Sequence, residues 1–546
     1  MNKLFNELTN SLSKEFKNYN LNESVQLSMS KLPEYDMQIN NLVKYNKSDF
    51  FEELRKNIIK IINSSNLFKV VEENNIGFLN LELNHEFLKN KITNTKDNFK
   101  RKESEKIIFD YGGPNIGKPL HVGHMRTLNI GRSLYNIHSF IGNEVISDIH
   151  LGDWGMPIAQ IITYLEENSI DVSGIDSNQL EIIYPKASEE YKQNDKFKIR
   201  AQEINKKLNN NDKDLLTIWK SIKDTSIKSL KENFKLFNHS FDQWLGESDV
   251  NELIPEMIDD LIKNKKIIND SGALISAQDT EPKILITKSD GSYLYITTDL
   301  ATILYRQNNF SYDKAFYIVD NRQSLHFKQL FDSINFFGLS TLYHEHISYG
   351  TLNDSDGNPF KTRDGGTKPL SELFEETYIY IKNINVSLKE STIQQLTNSV
   401  LTFSDLITNR KTDYKFDLEK FTNVNGKTGI YVQYAQVRAK KLLQTLNQKK
   451  NQPSELILSE VDKKLLSKLY MFGYFLEQAF SLNEPHHLAN YLYDISNLFN
   501  QFYESEKISE ITDLDHLSSK IFLINLFLTT SHNVMHCLGI APVEQM

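Results

Sequence analysis

Lys106-Ile107-Ile108-Phe109-Asp110-Tyr111-Gly112-Gly113-Pro114-Asn115-Ile116-Gly117-Lys118-Pro119-Leu120-His121-Val122-Gly123-His124 is the stretch on which the fold turns. Its short apolar run stops abruptly at two glycines and a proline. After the loop, Met125, Leu128, Leu134, Ile137 and Ile141 keep helical spacing, and Gly142 suits the position just past a helix end. Val145 to Ile149 is the next strand candidate, ending in Gly152-Asp153-Trp154-Gly155. Strand, Gly/Pro-rich loop, helix and strand make a βαβ unit of a parallel sheet, whose ligands sit past the strand carboxyl ends.

Outward from this unit, a polar, helix-rich segment from about Glu166 to Leu245 interrupts the pattern. Sheet-like runs return at Lys283–Thr287, Tyr293–Thr297 and Ala315–Val319. After about Phe403 the chain reads as helical. Leu488, Tyr491, Leu492, Ile495, Leu498, Phe499 and Phe502 form a wide apolar stripe opening after Pro485. Upstream, Leu4, Phe5, Leu8, Leu12 and Phe16 keep helical spacing, Asp49 and Glu52 suit a capping box, and Leu79, Leu81 and Leu83 alternate like a strand. The expected architecture has three parts. Residues 1–100 form an N-terminal α+β domain. Residues 101–400 form an α/β Rossmann-type parallel-sheet domain with an inserted helical segment at about 166–245. Residues 401–546 form a C-terminal all-α helical bundle.

At 546 residues the chain is too long for one compact fold. Its 62 basic against 71 acidic residues leave a net charge of −9, which argues against a bulk nucleic-acid coat but leaves room for a local basic groove. The single cysteine, Cys537, rules out an intrachain disulfide and a cysteine-built zinc site, and fits a reducing, cytoplasmic compartment. No apolar run reaches membrane-spanning length, the longest, Ile521 to Leu528, being broken by Asn525, and the first residues lack a signal-peptide stretch. A protein without membrane attachment is expected.

His121 and His124, three apart at a helix start, bring imidazole N–H groups and unpaired backbone amides to one point, and Gly123 lets a phosphorylated ligand approach the backbone. That suits an α-phosphate gaining charge in an in-line displacement. The same pattern also suits a pair of helix-capping histidines. A zinc pair is disfavoured, because no nearby carboxylate or third histidine completes a ligand set, and no metal is expected from the chain.

Pro114 to Arg126, followed by Gly152-Asp153-Trp154-Gly155, closely resembles the signature region of arginyl-tRNA synthetases, class I enzymes with a HIGH motif. The resemblance continues through Asp290–Asp299, Asp320–His326, Phe360–Gly366, Tyr431–Arg438 and the closing Ala541–Met546, in the family's order. It implies a two-step reaction in which L-arginine and ATP, with its Mg²⁺, give arginyl-adenylate and pyrophosphate before the arginyl group passes to the terminal ribose of tRNA(Arg). By that resemblance Pro114, Gly117, His121, Gly123, His124, His326 and Lys361 meet ATP. His121, His124, Lys118, Lys361 and Arg363 act in catalysis. Asp110, Asn115, Glu247, Tyr295, Asp299 and Gln323 line the arginine pocket. Lys361 and Arg363 stand in a second signature loop, 357–366, that departs from the K-M-S-K-S string in the way this subfamily does. Gly112-Gly113 stands where the family commonly has a serine, which leaves one hydroxyl contact open.

The terminal bundle resembles an anticodon-binding module, where Tyr431, Tyr434 and Arg438 would grip unpaired bases. The N-terminal domain resembles the one that meets the tRNA elbow. A monomer is expected. Another class I synthetase and a non-catalytic tRNA-binding homologue stand as alternatives, although joint retention of His121, Gly123, His124, Lys361 and Arg363 speaks against decay.

Overall fold

The computed structural model describes residues 2–546 apart from 33, 74–76, 279–281, 359, 361–367, 385 and 447–452. Two compact units emerge, one of residues 101–422 and one of residues 1–100 together with 423–546. The boundary expected at residue 401 falls inside helix Glu390–Leu406. That helix continues because Leu396, Val400, Leu401 and Phe403 are all buried, so the α/β unit runs on to Thr422.

The α/β unit is organised around four parallel strands in the order Tyr343–His346, Lys314–Ile318, Lys106–Tyr111, Glu144–Asp148. Ile107, Ile108 and Phe109 are fully buried, as a central parallel strand covered on both faces demands. From Lys106–Tyr111 the chain passes to the strand on one side, and only later to Lys314–Ile318 on the other. The switch point therefore lies between the carboxyl ends of those two strands, where open α/β sheets take their ligands. Helix His124–Phe140 follows the first strand, and Gly142, at φ 99°, takes the left-handed position just beyond it. The polar segment forms helices Met156–Glu167, Ser177–Gln193, Asp195–Asn209 and Lys213–Leu236.

Two expected sheet runs are revised. Only Leu285–Thr287 pairs as a strand, in a small antiparallel sheet with Ile267–Asp270 and Ala273–Ser276. Tyr293–Thr297 is not a strand, because helix Tyr295–Phe310 starts inside it. Leu300, Ala301 and Ile303 pack at helical spacing into the core beside Ile286, and the Thr297 hydroxyl donates to the Ile286 carbonyl at 2.6 Å. Tertiary packing overrides the local alternation.

In the other unit, strands Leu27–Met29, Met37–Ile39, Leu79–Leu83 and Phe68–Glu73 form an antiparallel sheet in that order. Leu79, Leu81 and Leu83 are buried as their alternation predicts. Helix Phe51–Ser65 begins without a side-chain cap, so the Asp49–Glu52 capping box does not form, and Glu52 pairs with Arg55 instead. The C-terminal segment is helical over Gly429–Leu446, Glu460–Tyr470, Phe472–Ser481, His486–Ser505 and Leu514–Leu538. Six of the seven stripe residues on His486–Ser505 are fully buried, Leu498 only partly. The amide of Asn94 donates at 2.8 Å both to the Leu469 carbonyl and to the Thr530 hydroxyl, fastening the N-terminal segment to these helices. Leu514–Leu538 is long and apolar enough by composition to cross a membrane, against the sequence expectation, because buried Ser and Thr hardly lower its mean hydropathy of 1.3. It is packed as a core helix, and its Lys520 is buried against Asp462 at 2.7 Å.

Candidate active site

The turn after strand Lys106–Tyr111 requires its glycines. Gly112 and Gly113 have φ of 96° and 46°, a left-handed region that costs other residues about 1–2 kcal/mol. The Gly112 amide donates to the Thr127 hydroxyl at 3.0 Å, holding the loop against the helix it feeds.

At the start of that helix the two histidines are oriented by backbone. The Gly123 amide donates to His121 Nδ1 at 3.1 Å, and the His121 amide donates to His124 Nδ1 at 3.1 Å. Each Nδ1 therefore accepts, and the proton of each neutral ring sits on Nε2. Burial first, then Lys118 and Arg322, bring the His121 pKa down to about 4. Burial and the neighbouring His121 bring His124 down to about 3. Both rings are thus neutral Nε2–H donors at pH 7. Gly123 has an ordinary helical φ of −61° but no room: a Cβ there would lie 2.9 Å from His121 Cε1 and Nδ1.

The helix carrying them is fixed by buried charge. Arg126 donates from Nε to Asp405 at 3.0 Å and from Nη1 to the carbonyls of Gly350 and Thr412 at 2.8 and 2.9 Å. Arg132 donates to the carbonyl of Asn238 at 2.7 Å and to the Thr402 hydroxyl at 3.0 Å. The Val122 amide donates to the Lys368 carbonyl at 3.0 Å, so the first signature is bonded to the chain just beyond the second. Sequence reading did not assign Arg126 or Arg132 a role. Their signal is a pair of arginines inside an apolar helical stripe, with partners hundreds of residues away.

A cleft of about 1260 Å³ opens nearby, lined among others by Trp154, Glu247, Lys288, Tyr293, Tyr295 and His326. Tyr295 and Asp299 share a face of helix Tyr295–Phe310, one turn apart. His326 Nε2 donates to Asp299 at 2.6 Å, and this bond raises the His326 pKa against the pull of burial. Glu247 is held in place through its neighbours. The Asp153 carboxylate accepts from the Ser248 amide at 2.9 Å and hydroxyl at 2.6 Å and from Lys223 at 2.6 Å, clasping loop 246–248 to loop 152–155. Burial, Asp153 and Asp299 push the Glu247 pKa up to about 8. Among the described residues this carboxyl has no cation partner.

The remaining expected residues fall in several places. Asp110, at the strand end, is taken by the chain's own Arg306, whose Nη2 also reaches Asp148, each at 2.6 Å. Arg306 stands seven residues after Asp299 on the same helix. Asn115 is exposed and packs on Gly152 so closely that a Cβ there would meet its side-chain oxygen. Pro114 and Gly117 are buried in the loop, and Lys118 lies 5.8 Å over the Tyr184 ring. Gln323 is exposed in the turn Asn321–Gln323. Lys361 and Arg363 lie outside the described residues. Trp154 packs edge-on to Trp219 and donates to Asn209 at 3.0 Å. In the other unit, Arg438 stacks over Tyr434 and Tyr503 at 4.2 and 5.0 Å, and Tyr431 donates to Asn497 at 3.2 Å.

Comparison with known proteins bears on the family and the fold. A family model for the catalytic domain of class I tRNA synthetases (R) matches residues 87–418, and one for the DALR anticodon binding domain matches residues 432–546. The arginine–tRNA ligase of Francisella tularensis subsp. novicida (strain U112) is 33% identical over 525 residues, covering 90% of each chain. That of Alkaliphilus oremlandii (strain OhILAs) is 33% identical over 531 residues with the same coverage. In fold, the chain is similar to the Thermus thermophilus arginyl-tRNA synthetase, with TM-score 0.81 at 18% identity over 99% of this chain and 100% of that one. It is also similar to the Plasmodium falciparum enzyme, with TM-score 0.78 at 22% identity over 99% of both.

Proposed function

The chain belongs to the arginyl-tRNA synthetase family of class I enzymes, and from that premise we propose how its residues carry out the ligation of arginine to tRNA(Arg). The observation that carries the reading is the partly buried Glu247, without a cation partner among the described residues, in a cleft shared with Tyr295 and with His326, which is bonded to Asp299. A guanidinium is flat, permanently charged and best held by carboxylates with a planar contact. Glu247 and Asp299 supply the carboxylates and Tyr295 the planar face. Asn115 and Gln323 meet the α-amino and carboxylate end. Asp110 contributes by holding Arg306, not by meeting the substrate.

ATP, accompanied by Mg²⁺, lies over Pro114, Gly117 and Gly123, with His121 and His124 at the α-phosphate. The arginine carboxylate attacks that phosphorus, pyrophosphate leaves, and the two Nε2–H groups donate to the non-bridging oxygens as charge builds. They are preorganised donors, not bases. Lys118, Lys361 and Arg363 take the β- and γ-phosphates. In the second step a hydroxyl of the tRNA's 3′-terminal ribose attacks the acyl carbon and AMP departs. Tyr431, Tyr434 and Arg438 grip the anticodon loop, and residues 1–100 meet the tRNA elbow. The protein works in the cytoplasm, as a monomer.

Charging of tRNA with each amino acid tests the reading. Arginine alone is expected to be accepted, and folded protein with matched tRNA that accepts no arginine overturns it. Arginine-dependent pyrophosphate exchange is expected to appear only once tRNA is added.

A further inference from the structure

Past the carboxyl end of strand Lys314–Ile318 the chain makes a short turn that presents Arg322. Asp320 pairs in parallel with Tyr349, and the Asn321 amide donates to the Tyr349 carbonyl at 3.0 Å. The Asp320 carboxylate then caps the turn Asn321–Gln323 by accepting from the Arg322 amide at 2.8 Å. The same carboxylate takes the Arg322 side chain as a fork, Nε donating to Oδ1 at 2.9 Å and Nη2 to Oδ2 at 2.8 Å. A fork built on Nε and Nη2 leaves Nη1 on the far edge of the guanidinium plane. Among the described residues no acceptor is bonded to Nη1.

Stability does not explain this arrangement. The Arg322 side chain is 80% exposed, where an ion pair adds little and a long side chain gives up rotamer freedom to hold one pose. Its location is more telling. Ile318 lies opposite Tyr111 in the pairing of the two central strands. Thr127 ties the ends of those strands together, its hydroxyl accepting from the Gly112 amide at 3.0 Å and donating to the Ile318 carbonyl at 2.7 Å. His124 stands one turn before Thr127, and Arg322 four residues after Ile318. The histidine pair and the pinned arginine thus stand past the carboxyl ends of neighbouring strands, at the crevice where such sheets take ligands. The charge of Arg322 also reaches His121, since after burial and Lys118 it helps to keep that ring neutral.

The two groups complement each other chemically. His121 and His124 offer N–H groups without net charge. A phosphate passing through a pentacovalent state gains negative charge, which a permanent cation in a fixed pose meets without reorganisation. Arginine suits this better than lysine, because one edge can stay on Asp320 while the other donates.

We propose that Arg322 is a further catalytic residue, its Nη1 donating to a non-bridging oxygen of the ATP α-phosphate beside the histidine pair. The inference rests on the adenylate-forming reaction proposed above. In that step an arginine carboxylate oxygen bonds to the α-phosphorus, the bond to the oxygen bridging to the β-phosphate breaks, and pyrophosphate leaves with that electron pair. Arg322 gives up no proton, and Asp320 is its positioning residue.

Charging of matched tRNA by the full-length protein sets the baseline. A parent that charges no arginine overturns the ligase reading and this inference with it. In a parent that charges, Arg322→Gln is expected to lower kcat about a hundredfold while the KM for arginine stays within roughly twofold. Arg322→Lys keeps the charge without the fork, is expected to recover part of the loss, and serves as the second variant if the first fails to fold. ATP carrying sulfur at either non-bridging position of the α-phosphate locates the contact. The parent is expected to discriminate between the two diastereomers, and Arg322→Gln to change that ratio about fivefold or more. Equal kcat in parent and both variants overturns the assignment, as does a lowered kcat with the diastereomer ratio unchanged. A raised arginine KM with kcat unchanged also overturns it, placing Arg322 on the amino acid's carboxylate.

Discussion

At the start of helix His124–Phe140, two imidazoles are held neutral, their Nδ1 atoms already bonded to backbone amides. In the cleft beyond, burial, Asp153 and Asp299 hold Glu247 in surroundings that resist its charge. The first arrangement is complete before substrate arrives. On the proposed reading, the second is completed by it. The difference follows the chemistry each part faces. Charge that develops transiently on a phosphate is best met by donors that need no reorganisation. A permanent charge on the substrate can itself neutralise a buried carboxyl, and it makes selection strict, because an amino acid without a cation leaves that carboxyl unpaired.

The sharpest way to break this contrast is to remove a donor. His124→Ala is expected to lower the charging kcat about a hundredfold, or about 3 kcal/mol, with the KM for arginine nearly unchanged. Equal kcat in variant and parent would return the histidines to a capping role. Glu247→Gln should act on the other side of the comparison, raising the KM for arginine roughly thirtyfold, about 2 kcal/mol, while the KM for ATP holds. A change in ATP alone would detach Glu247 from the guanidinium.

The pH dependence separates the two regions further. On the proposed reading Glu247 meets arginine as a carboxylate, so the arginine KM should fall about tenfold per pH unit from pH 6 toward 8 and level off above, as one proton is lost per site. Stability of the free protein runs the other way. A carboxyl whose folded pKa is raised stabilises most when protonated, and that contribution fades as pH climbs from the ordinary carboxylate range through about 8. Melting temperatures with and without arginine across this range would show both trends. The histidines, at about 3 and 4, leave no inflection between pH 6 and 8. The smallest effect belongs to Gly123→Ala, whose methyl displaces the His121 ring and should cost about 1 kcal/mol, roughly fivefold in kcat.

What could be read in the sequence follows the range of the interactions involved. The strand, glycine loop and helix around Lys106–Phe140 are local, and spacing alone found them. Tyr295 and Asp299 are expected at the arginine pocket only through resemblance, while the local structure around them was misread, because the alternation of Tyr293–Thr297 looks like a strand until Leu300 and Ile303 are seen to pack as a helix. The supports were not legible. Arg126 meets Asp405 across 279 residues, and Arg306 meets Asp148 across 158. Asp110, an isolated carboxylate by a ligand loop, reads as a substrate contact until Arg306 is seen to occupy it. Nothing in one sequence ties together side chains so far apart. Their energetic weight is nonetheless large, since breaking a buried pair such as Arg126–Asp405 costs about 3–5 kcal/mol.

Calorimetric titration of arginine at pH 7 in two buffers of different ionisation enthalpy tests the central contrast most directly. A Glu247 that is mostly protonated in the free protein and ionised in the complex releases close to one proton per arginine bound, and Glu247→Gln abolishes the release. Binding with no proton release in the parent, or with the same release in the variant, would contradict a cleft that the substrate's own charge completes.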